Sequence, residues 1–327
     1  MFITIDTLRA DRLGAYGYFR DTSPALDALA SESILFERCI APMATTFPSH
    51  LSLFTRMYPN ETGAIANVGD RGKPFQPTNH IRTLAQLLQD NGYRTAAFVS
   101  AAPLKTYSGI SVGFDVFAQP EKHSRSAEFT NVYVFDWLET IDEQRFFLWV
   151  HYFDPHLPYV PPARFADKFQ SGPELTAYFE EHVFAPGKDE ERTTDIVNNR
   201  YDAEVSYVDE QVGRLLDALR SRVDDWENTV VVVLSDHGEG LRQHGELEHG
   251  SVWNEQLHVA LFMRIPGRAP ARIDRLLSVA DVVPTLMGLT ELPGEDAFRR
   301  QASGFDRFSR EPAHHSSSAR NPAHRGE

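Results

Sequence analysis

Cysteine is almost absent from this sequence. Cys39 stands alone, so no internal disulfide can form, and its place in the apolar run Ile34-Leu35-Phe36-Glu37-Arg38-Cys39-Ile40 predicts a buried, inert thiol. Basic residues are the minority sign, 32 Lys and Arg against 46 Asp and Glu, for a formal net charge of -14. That balance argues against general binding to nucleic acid or to an anionic membrane surface. A small anionic substrate is still compatible with it, because a metal ion and a few histidines reverse the field locally. No run is long and apolar enough to cross a bilayer. No export signal stands ahead of the first strand, so the chain as written reads as cytoplasmic. What the sequence has in ordinary measure is apolar residue, 42% of 327, enough for one large α/β domain or a domain with a small appendage.

Three stretches carry the chemistry. Phe2-Ile3-Thr4-Ile5-Asp6 reads as a short apolar strand ending in a carboxylate. Thr229 to Gly238 reads as a buried strand, with four consecutive valines, ending in Ser235-Asp236-His237-Gly238. Parallel α/β sheets gather their functional groups at the carboxyl ends of strands, so Asp6, Asp236 and His237 are expected to meet at one edge. Two carboxylates and an imidazole suit a divalent cation. The third stretch is Thr45-Thr46-Phe47-Pro48-Ser49-His50, followed at once by helical spacing through Leu51 and Phe54. Pro48 suits a first helical turn and Thr46 the capping position before it. Taken alone, Thr46 reads as a helix cap. Beside the other two stretches it reads as a hydroxyl at a helix N-terminus, where an anion is favoured and a metal is the usual means of making a hydroxyl nucleophilic.

The rest of the chain supplies the frame. Ser23 and Pro24 start a helix through Leu26, Leu29 and Ala30, and Ile81 to Asn91 reads as an amphipathic helix stopped by Gly92. Arg94 to Ser100 and Phe146 to Tyr152 read as strands, and Val259 to Ile265 as a further strand before a helix over Val279 to Leu289. His156, in Phe153-Asp154-Pro155-His156-Leu157-Pro158, is expected on a loop held extended by its two prolines, with His151 in the core or behind the site. About Phe165 to Asp195 is polar and irregular, and is expected to form a surface insertion over the active-site edge. Arg200 to Leu219 reads as a long amphipathic helix whose acids, Asp202, Glu204, Asp209 and Glu210, form a solvated face. Arg9 and Asp11 are expected to pair structurally. His244 and His249 lie on a His-rich loop after the Asp-His strand. From about Pro293 the chain turns polar and aperiodic, which predicts a disordered tail over 293–327.

Four segments in order, Ile5-Asp6-Thr7-Leu8-Arg9-Ala10-Asp11-Arg12-Leu13-Gly14, Thr46 to His50, Asp154-Pro155-His156 and Ser235-Asp236-His237-Gly238, resemble the sulfatase family of the alkaline phosphatase superfamily from residue 2 to about Leu292. The resemblance implies a three-layer α/β/α sandwich around a mostly parallel sheet, alkaline phosphatase-like, with the family's smaller C-terminal sheet domain missing from this chain. It implies residues ahead of the first strand in relatives, and hence export or a periplasmic home if the true start lies upstream. It implies a metal-dependent hydrolase of sulfate or phosphate esters. Asp6, Thr46, Asp236 and His237 are its metal ligands, for one divalent ion: calcium or magnesium for an oxygen-rich set, manganese or zinc for the added histidine. Thr46 is the nucleophile, and His156, His249 and His50 are the remaining catalytic groups. His156 is placed against the leaving group, His249 where relatives often carry a lysine, and His50 where an arginine follows the nucleophile. Asn67 falls where some relatives contact the substrate anion; as a turn asparagine it would do nothing chemical. His244 is a weaker candidate for the metal or for the layer behind it.

The departures matter as much. Arg56 stands where relatives often have glycine, Glu61 near a usual histidine, and Ser100-Ala101-Ala102-Pro103-Leu104 where many sulfatases carry a lysine and a histidine. Sulfatases of the common type oxidise a cysteine or serine to formylglycine, and a threonine, with its β-methyl, cannot yield that aldehyde. The expected partner is therefore a small anionic ester, with phosphate mono- or diesters at least as probable on chemical grounds as sulfate esters. The alternatives are a phosphodiesterase or a phosphoryl or phosphoglycerol-type transferase of the same superfamily, or a truncated, non-catalytic relative.

Overall fold

The computed structural model describes residues 1–68, 72–77, 81–141, 145–174, 188–222 and 226–290. Among them nine strands form one sheet: β1 (Phe2–Ile5), β2 (Ile34–Ile40), β3 (Arg94–Phe98), β4 (Val116–Ala118), β5 (Phe146–Tyr152), β6 (Val231–Ser235), β7 (His258–Val259), β8 (Leu261–Arg264) and β9 (Ala271–Ser278). Their order is β4-β3-β5-β1-β6-β8-β2-β7, with β9 pairing β2. From β4 to β6 every pairing is parallel, and β8 enters antiparallel between β6 and β2.

The central strands read as unbroken apolar runs because both faces of the sheet are covered. Ile3, Ile5, Leu148, Val150, Val231 and Val233 pack into one core, and Phe2, Phe147, Trp149, Val232 and Leu234 into the other. The first core is closed by helices α1 (Pro24–Ser31), α5 (Ala127–Leu138) and α7 (Lys188–Arg222), the second by α2 (Thr46–Thr55), α4 (Leu84–Asp90) and α9 (Val282–Leu289). Three short helices complete the count among the described residues: α3 (Pro59–Thr62), α6 (Ala163–Ala166) and α8 (Asn254–Leu257). The result is the three-layer α/β/α sandwich. Among the described residues no helix is long and apolar enough to cross a membrane.

Several local expectations change. Helix α7 begins at Lys188, twelve residues before Arg200, so the irregular insertion is shorter than its composition suggests; its middle, 175–187, and the tail from 293 lie outside the described residues. The acids of α7 are not a solvated face. Helix α7 packs against α1, α5 and α6, so several of its sides are covered. Asp202 is fully buried and accepts from Arg12 Nη1 (3.3 Å), Tyr18 Oη (2.6 Å) and Arg20 Nη1 (2.6 Å). Glu204 is buried, and desolvation together with nearby Asp154 pushes its carboxyl up to about 8. Of the four, Glu210 is exposed and pairs with Arg164 at 2.5 Å.

Asp209 does the capping expected of Ser23. The Ser23 hydroxyl accepts from Gly14 N and donates to Asp27, whereas the N–H groups of Ala25 and Leu26 donate to Asp209 at 3.0 and 2.8 Å. A side chain from 184 residues away thus satisfies two of the orphan donors of α1. Burial outweighs those two donors and pushes the Asp209 carboxyl up to about 7.

Replacing Asp209 with alanine is expected to lower unfolding free energy by about 2–4 kcal/mol, from two hydrogen bonds to a charged or capping acceptor. The sign with pH follows from the raised folded-state value. Between an unfolded carboxyl near 4 and a folded one near 7, the native state holds the proton more tightly, so this group's contribution falls as pH rises through that window. Denaturant unfolding of wild type and Asp209→Asn at several pH values should show the wild type losing ground to the variant from pH 4 to 7; parallel curves would contradict it.

Candidate active site

Asp6 and Asp236 each stand one residue beyond a strand, and those strands are neighbours. Strands β1 and β6 run parallel with Ile5 opposite Ser235, so the two carboxylates emerge side by side at the carboxyl edge. Both are 1% exposed. Asp236 Oδ1 accepts the N–H of His237 (2.9 Å) and of Thr7 (3.3 Å), but Asp236 Oδ2 and both oxygens of Asp6 have no hydrogen-bond partner. His237 Nε2 lies 3.6 Å from Asp6 Oδ1 and 3.4 Å from Asp236 Oδ2. Its other nitrogen faces the Gly238 carbonyl at 3.0 Å, which fixes Nδ1 as the N–H and turns an Nε2 lone pair toward the carboxylates. Burial, then the charge of Asp6, pushes the Asp236 carboxyl well above its ordinary range, and burial, then His249, holds His237 well below its own.

One bare oxygen from each of Asp6 and Asp236 and an imidazole lone pair, gathered together and buried, are what a divalent cation would satisfy. The donor atoms of Asp6, Asp236 and His237 all lie within 4.8 Å of one another. Thr46 Oγ1 joins them, 3.4 Å from His237 Nε2. The residues therefore fit the single divalent ion that the sequence predicts, with no preference set between oxygen-loving and nitrogen-loving metals. Gly238 belongs to the same construction. A Cβ there would lie 2.0 Å from the Glu255 carbonyl, against which this backbone packs while donating to Gln256 O (2.8 Å).

Thr46 is not the cap of its helix. It is the first helical residue of α2, Thr45 occupies the capping position without a side-chain hydrogen bond, and Pro48 falls at the third position. The capping is done by Asn67, whose Oδ1 accepts the Phe47 N–H at 2.9 Å. This commits the oxygen of Asn67 and leaves its amide N–H groups as donors. Arg56 closes α2 in the left-handed region, φ +63°, where glycine would sit without strain.

His50 lies behind the site. It is 1% exposed, its Nδ1 donates to the Thr46 carbonyl (2.8 Å), and its Nε2 faces Thr4 Oγ1 (3.1 Å), which also accepts from Trp149 Nε1 (2.9 Å). It does not line the cavity over Thr46; its contact is with the main chain of Thr46. Burial, then His151, pulls its imidazole down to about 3. His50, His151 and Asp236 also cluster within 4.8 Å, but both nitrogens of His50 are already engaged, which argues against a second cation there.

The front of the site is a cavity of about 220 Å³ lined by Asp6, Thr46, Asn67, Val68, Ala102, Pro103, Tyr107, His123, Phe153, His156 and His249. His156 is not on an extended loop: its N–H donates to Phe153 O (2.9 Å) in a tight turn, and its ring stacks on Phe153 at 4.4 Å. His156 Nδ1 donates to the Leu157 carbonyl (2.7 Å) and His249 Nδ1 to the Ala44 carbonyl (3.0 Å). Their Nε2 atoms then face each other at 3.2 Å. Burial lowers His249 from its ordinary value. His244 is elsewhere, stacked on Trp253 at 3.9 Å and paired with Glu255 at 2.8 Å, outside both the ligand cluster and the cavity. Arg9 and Asp11 form the expected ion pair, with Arg9 buried and its Nη1 also on the Glu239 carbonyl. In the cavity wall, Ala102 and Pro103 fall in the stretch where many relatives carry a lysine and a histidine, whereas Tyr107 and His123 were not singled out from the sequence, because the wall assembles from separate loops.

A three-layer sandwich with a carboxylate–histidine cluster and a helix-terminal hydroxyl at the carboxyl edge of its sheet defines the alkaline phosphatase-like class. A phosphonate monoester hydrolase of Agrobacterium radiobacter shares this fold with TM-score 0.72 and 24% identity over 87% of this chain and 72% of that one. The chain belongs to the sulfatase family, whose model, described as Sulfatase, matches residues 1–292. It is similar to human iduronate 2-sulfatase, 26% identical over 91% of this chain and 65% of that protein. It is also similar to an ulvan-active sulfatase of Formosa agariphila, 25% identical over 89% of this chain and 61% of that protein. The chain thus spans about two thirds of the length of these relatives.

Divalent cation added to chelator-stripped protein is expected to raise the melting temperature. At a hundredfold excess over Kd the gain is about 2.7 kcal/mol, roughly 5–10 °C for a domain of this size at 2–4 °C per kcal/mol. Asp236→Asn should lose most of that gain. A melting temperature unmoved by calcium, magnesium, manganese and zinc would sink the cation site.

Proposed function

We propose that this chain is a metal-dependent ester hydrolase that moves the sulfuryl or phosphoryl group of a small anionic ester onto Thr46 and then to water. The observation that carries the reading is the seat of Thr46: a buried hydroxyl at the start of α2, 3.4 Å from His237 Nε2 and opening on the cavity. Asp6, Thr46, Asp236 and His237 are the residues that hold the divalent ion, whose contribution is to lower the pKa of a hydroxyl and offset the charge of the anion.

The chain's own groups do the rest. Thr46 Oγ1 gives up its proton to solvent as it attacks the sulfur or phosphorus in line, and the bond to the departing ester oxygen breaks. Asn67, its oxygen held by the Phe47 N–H, offers its amide N–H groups to a non-bridging oxygen. His156 and His249 have both Nδ1 atoms committed to carbonyls, so their 3.2 Å contact is attractive only with a proton between the two Nε2 atoms. That proton passes to the leaving oxygen. Water then attacks the threonyl ester and regenerates the hydroxyl. His50, hydrogen-bonded to the Thr46 carbonyl, holds the nucleophile's main chain.

Two observations favour singly charged esters, phosphodiesters in particular. Threonine cannot become formylglycine, the nucleophile of common sulfatases. Among the described residues lining the cavity there is no lysine or arginine to balance a second negative charge.

Turnover of aryl sulfate, aryl phosphate and bis-aryl phosphate should be measured side by side, with each of calcium, magnesium, manganese and zinc added to stripped protein. Phosphodiester turnover exceeding the other two is expected. Sulfate turnover alone would overturn the preference for phosphorus, and no turnover with any metal would favour a non-catalytic role. Thr46→Ala should lower kcat on the order of 10³-fold or more while leaving metal binding largely intact; an active variant would remove Thr46 from the mechanism.

A further inference from the structure

Asp6 is the carboxylate with both oxygens bare, yet its side chain must be held in one rotamer for Asp6, Asp236 and His237 to converge. The group nearest its outer oxygen is His151. This histidine lies on β5, opposite Thr4 of β1, and is completely buried. Its Nε2 is 3.6 Å from Asp6 Oδ2, while Asp6 Oδ1 faces His237. The two oxygens of Asp6 thus address different imidazoles, one from the cluster and one from behind.

The tautomer of His151 can be read from its other side. Its Nδ1 accepts the main-chain N–H of Ser100 at 3.4 Å, and a nitrogen that accepts cannot carry the proton of a neutral ring. The N–H of neutral His151 therefore sits on Nε2, aimed at Asp6. Ser100 is pinned in turn: its hydroxyl donates to the His151 carbonyl (2.6 Å) and sits 2.6 Å from Thr130 Oγ1. Backbone, not a rotatable side chain, sets the tautomer. His50 differs: its Nδ1–H is spent on the Thr46 carbonyl, although that nitrogen lies 3.6 Å from Asp236 Oδ2 and its ring centroid 5.0 Å from that of His151. A core histidine with no such role would have no reason to present an otherwise unpartnered N–H to an unpartnered carboxylate.

We propose that His151 is a positioning residue for the metal centre: held as the Nε2–H tautomer by the Ser100 N–H, it orients Asp6 so that the opposite carboxylate oxygen is presented to the cation. This inference rests on the reading that Asp6, Asp236 and His237 hold a cation. Groups of this kind, one step behind a ligand, typically change metal affinity 10- to 100-fold when removed.

Two nearly isosteric variants separate positioning from packing. His151→Gln places an amide N–H where Nε2 was, and His151→Asn places its amide where Nδ1 was and leaves Asp6 without a donor. Manganese binding to stripped protein, followed by calorimetry, is expected to weaken about 10-fold or more in His151→Asn and to stay within about threefold of wild type in His151→Gln. Equal affinity in wild type and both variants would overturn the proposal, as would equal weakening in both. A second measurement needs no variant. Nitrogen-15 NMR of the labelled histidines should show His151 as the Nε2–H tautomer, and an Nδ1–H tautomer would overturn the proposal even if neither variant folds. If wild type itself binds none of manganese, calcium, magnesium or zinc, the cation reading has failed, an outcome distinct from a wild type that binds and variants that do not differ.

Discussion

Asp6 and Asp236 lie side by side beneath the protein surface, on adjacent parallel strands, with three of their four oxygens unpartnered. Two buried carboxylates in contact range cannot both carry charge without compensation. Much of the surrounding chain answers that constraint. The N–H groups of Thr7 and His237 point at Asp236, His237 turns its free nitrogen between the two acids, and a buried histidine stands behind each one. A divalent ion would complete the arrangement, and the hydroxyl of Thr46 stands beside the place it would take.

The loop that follows Asp6 needs bracing, because Thr7 sits at φ +55°, a region that a β-branched residue enters only under strain. The brace comes from α7. Tyr201 donates its hydroxyl hydrogen to the Thr7 carbonyl (2.7 Å) and accepts the Arg9 N–H (2.9 Å). The next residue, Asp202, gathers Arg12, Tyr18 and Arg20. Asp202, which reads as part of a solvent face, is thus a tie between the long helix and the segment that follows β1. The buried polar network is costly to form but satisfied at most of its members, and it fixes the backbone that presents Asp6.

The site has a stiff back and a front made of loops. The back is strand, buried histidine and the indole of Trp149, all hydrogen-bonded among themselves. The front, from Asn67 through Tyr107 and His123 to His156 and His249, comes from five separate connections. Strands and a helix start thus fix the carboxylate–histidine cluster and Thr46, while loops shape the cavity in front of them.

The order of layers was implied by the family resemblance; the residues alone determined the strands that end in Asp6 and Asp236 and a helix that starts beside Thr46. These are local facts: apolar runs, a proline near a helix start, and the rule that strands deliver side chains at their carboxyl ends. It also excluded formylglycine, since that depends on one atom, the β-methyl of Thr46. Tertiary structure alone decided which polar groups face which. The acids of α7 share the helical period of a solvated face, and only the packing of α1, α5 and α6 around them shows them as a cap and a buried hub. The cap of α1 comes from Asp209 and that of α2 from Asn67, neither adjacent to the helix it serves. His50 and His151 read as one kind of residue in the chain. Their roles behind Thr46 and Asp6 are set by hydrogen bonds to main-chain groups of other elements, and long-range contacts of that kind leave no periodic trace in a sequence.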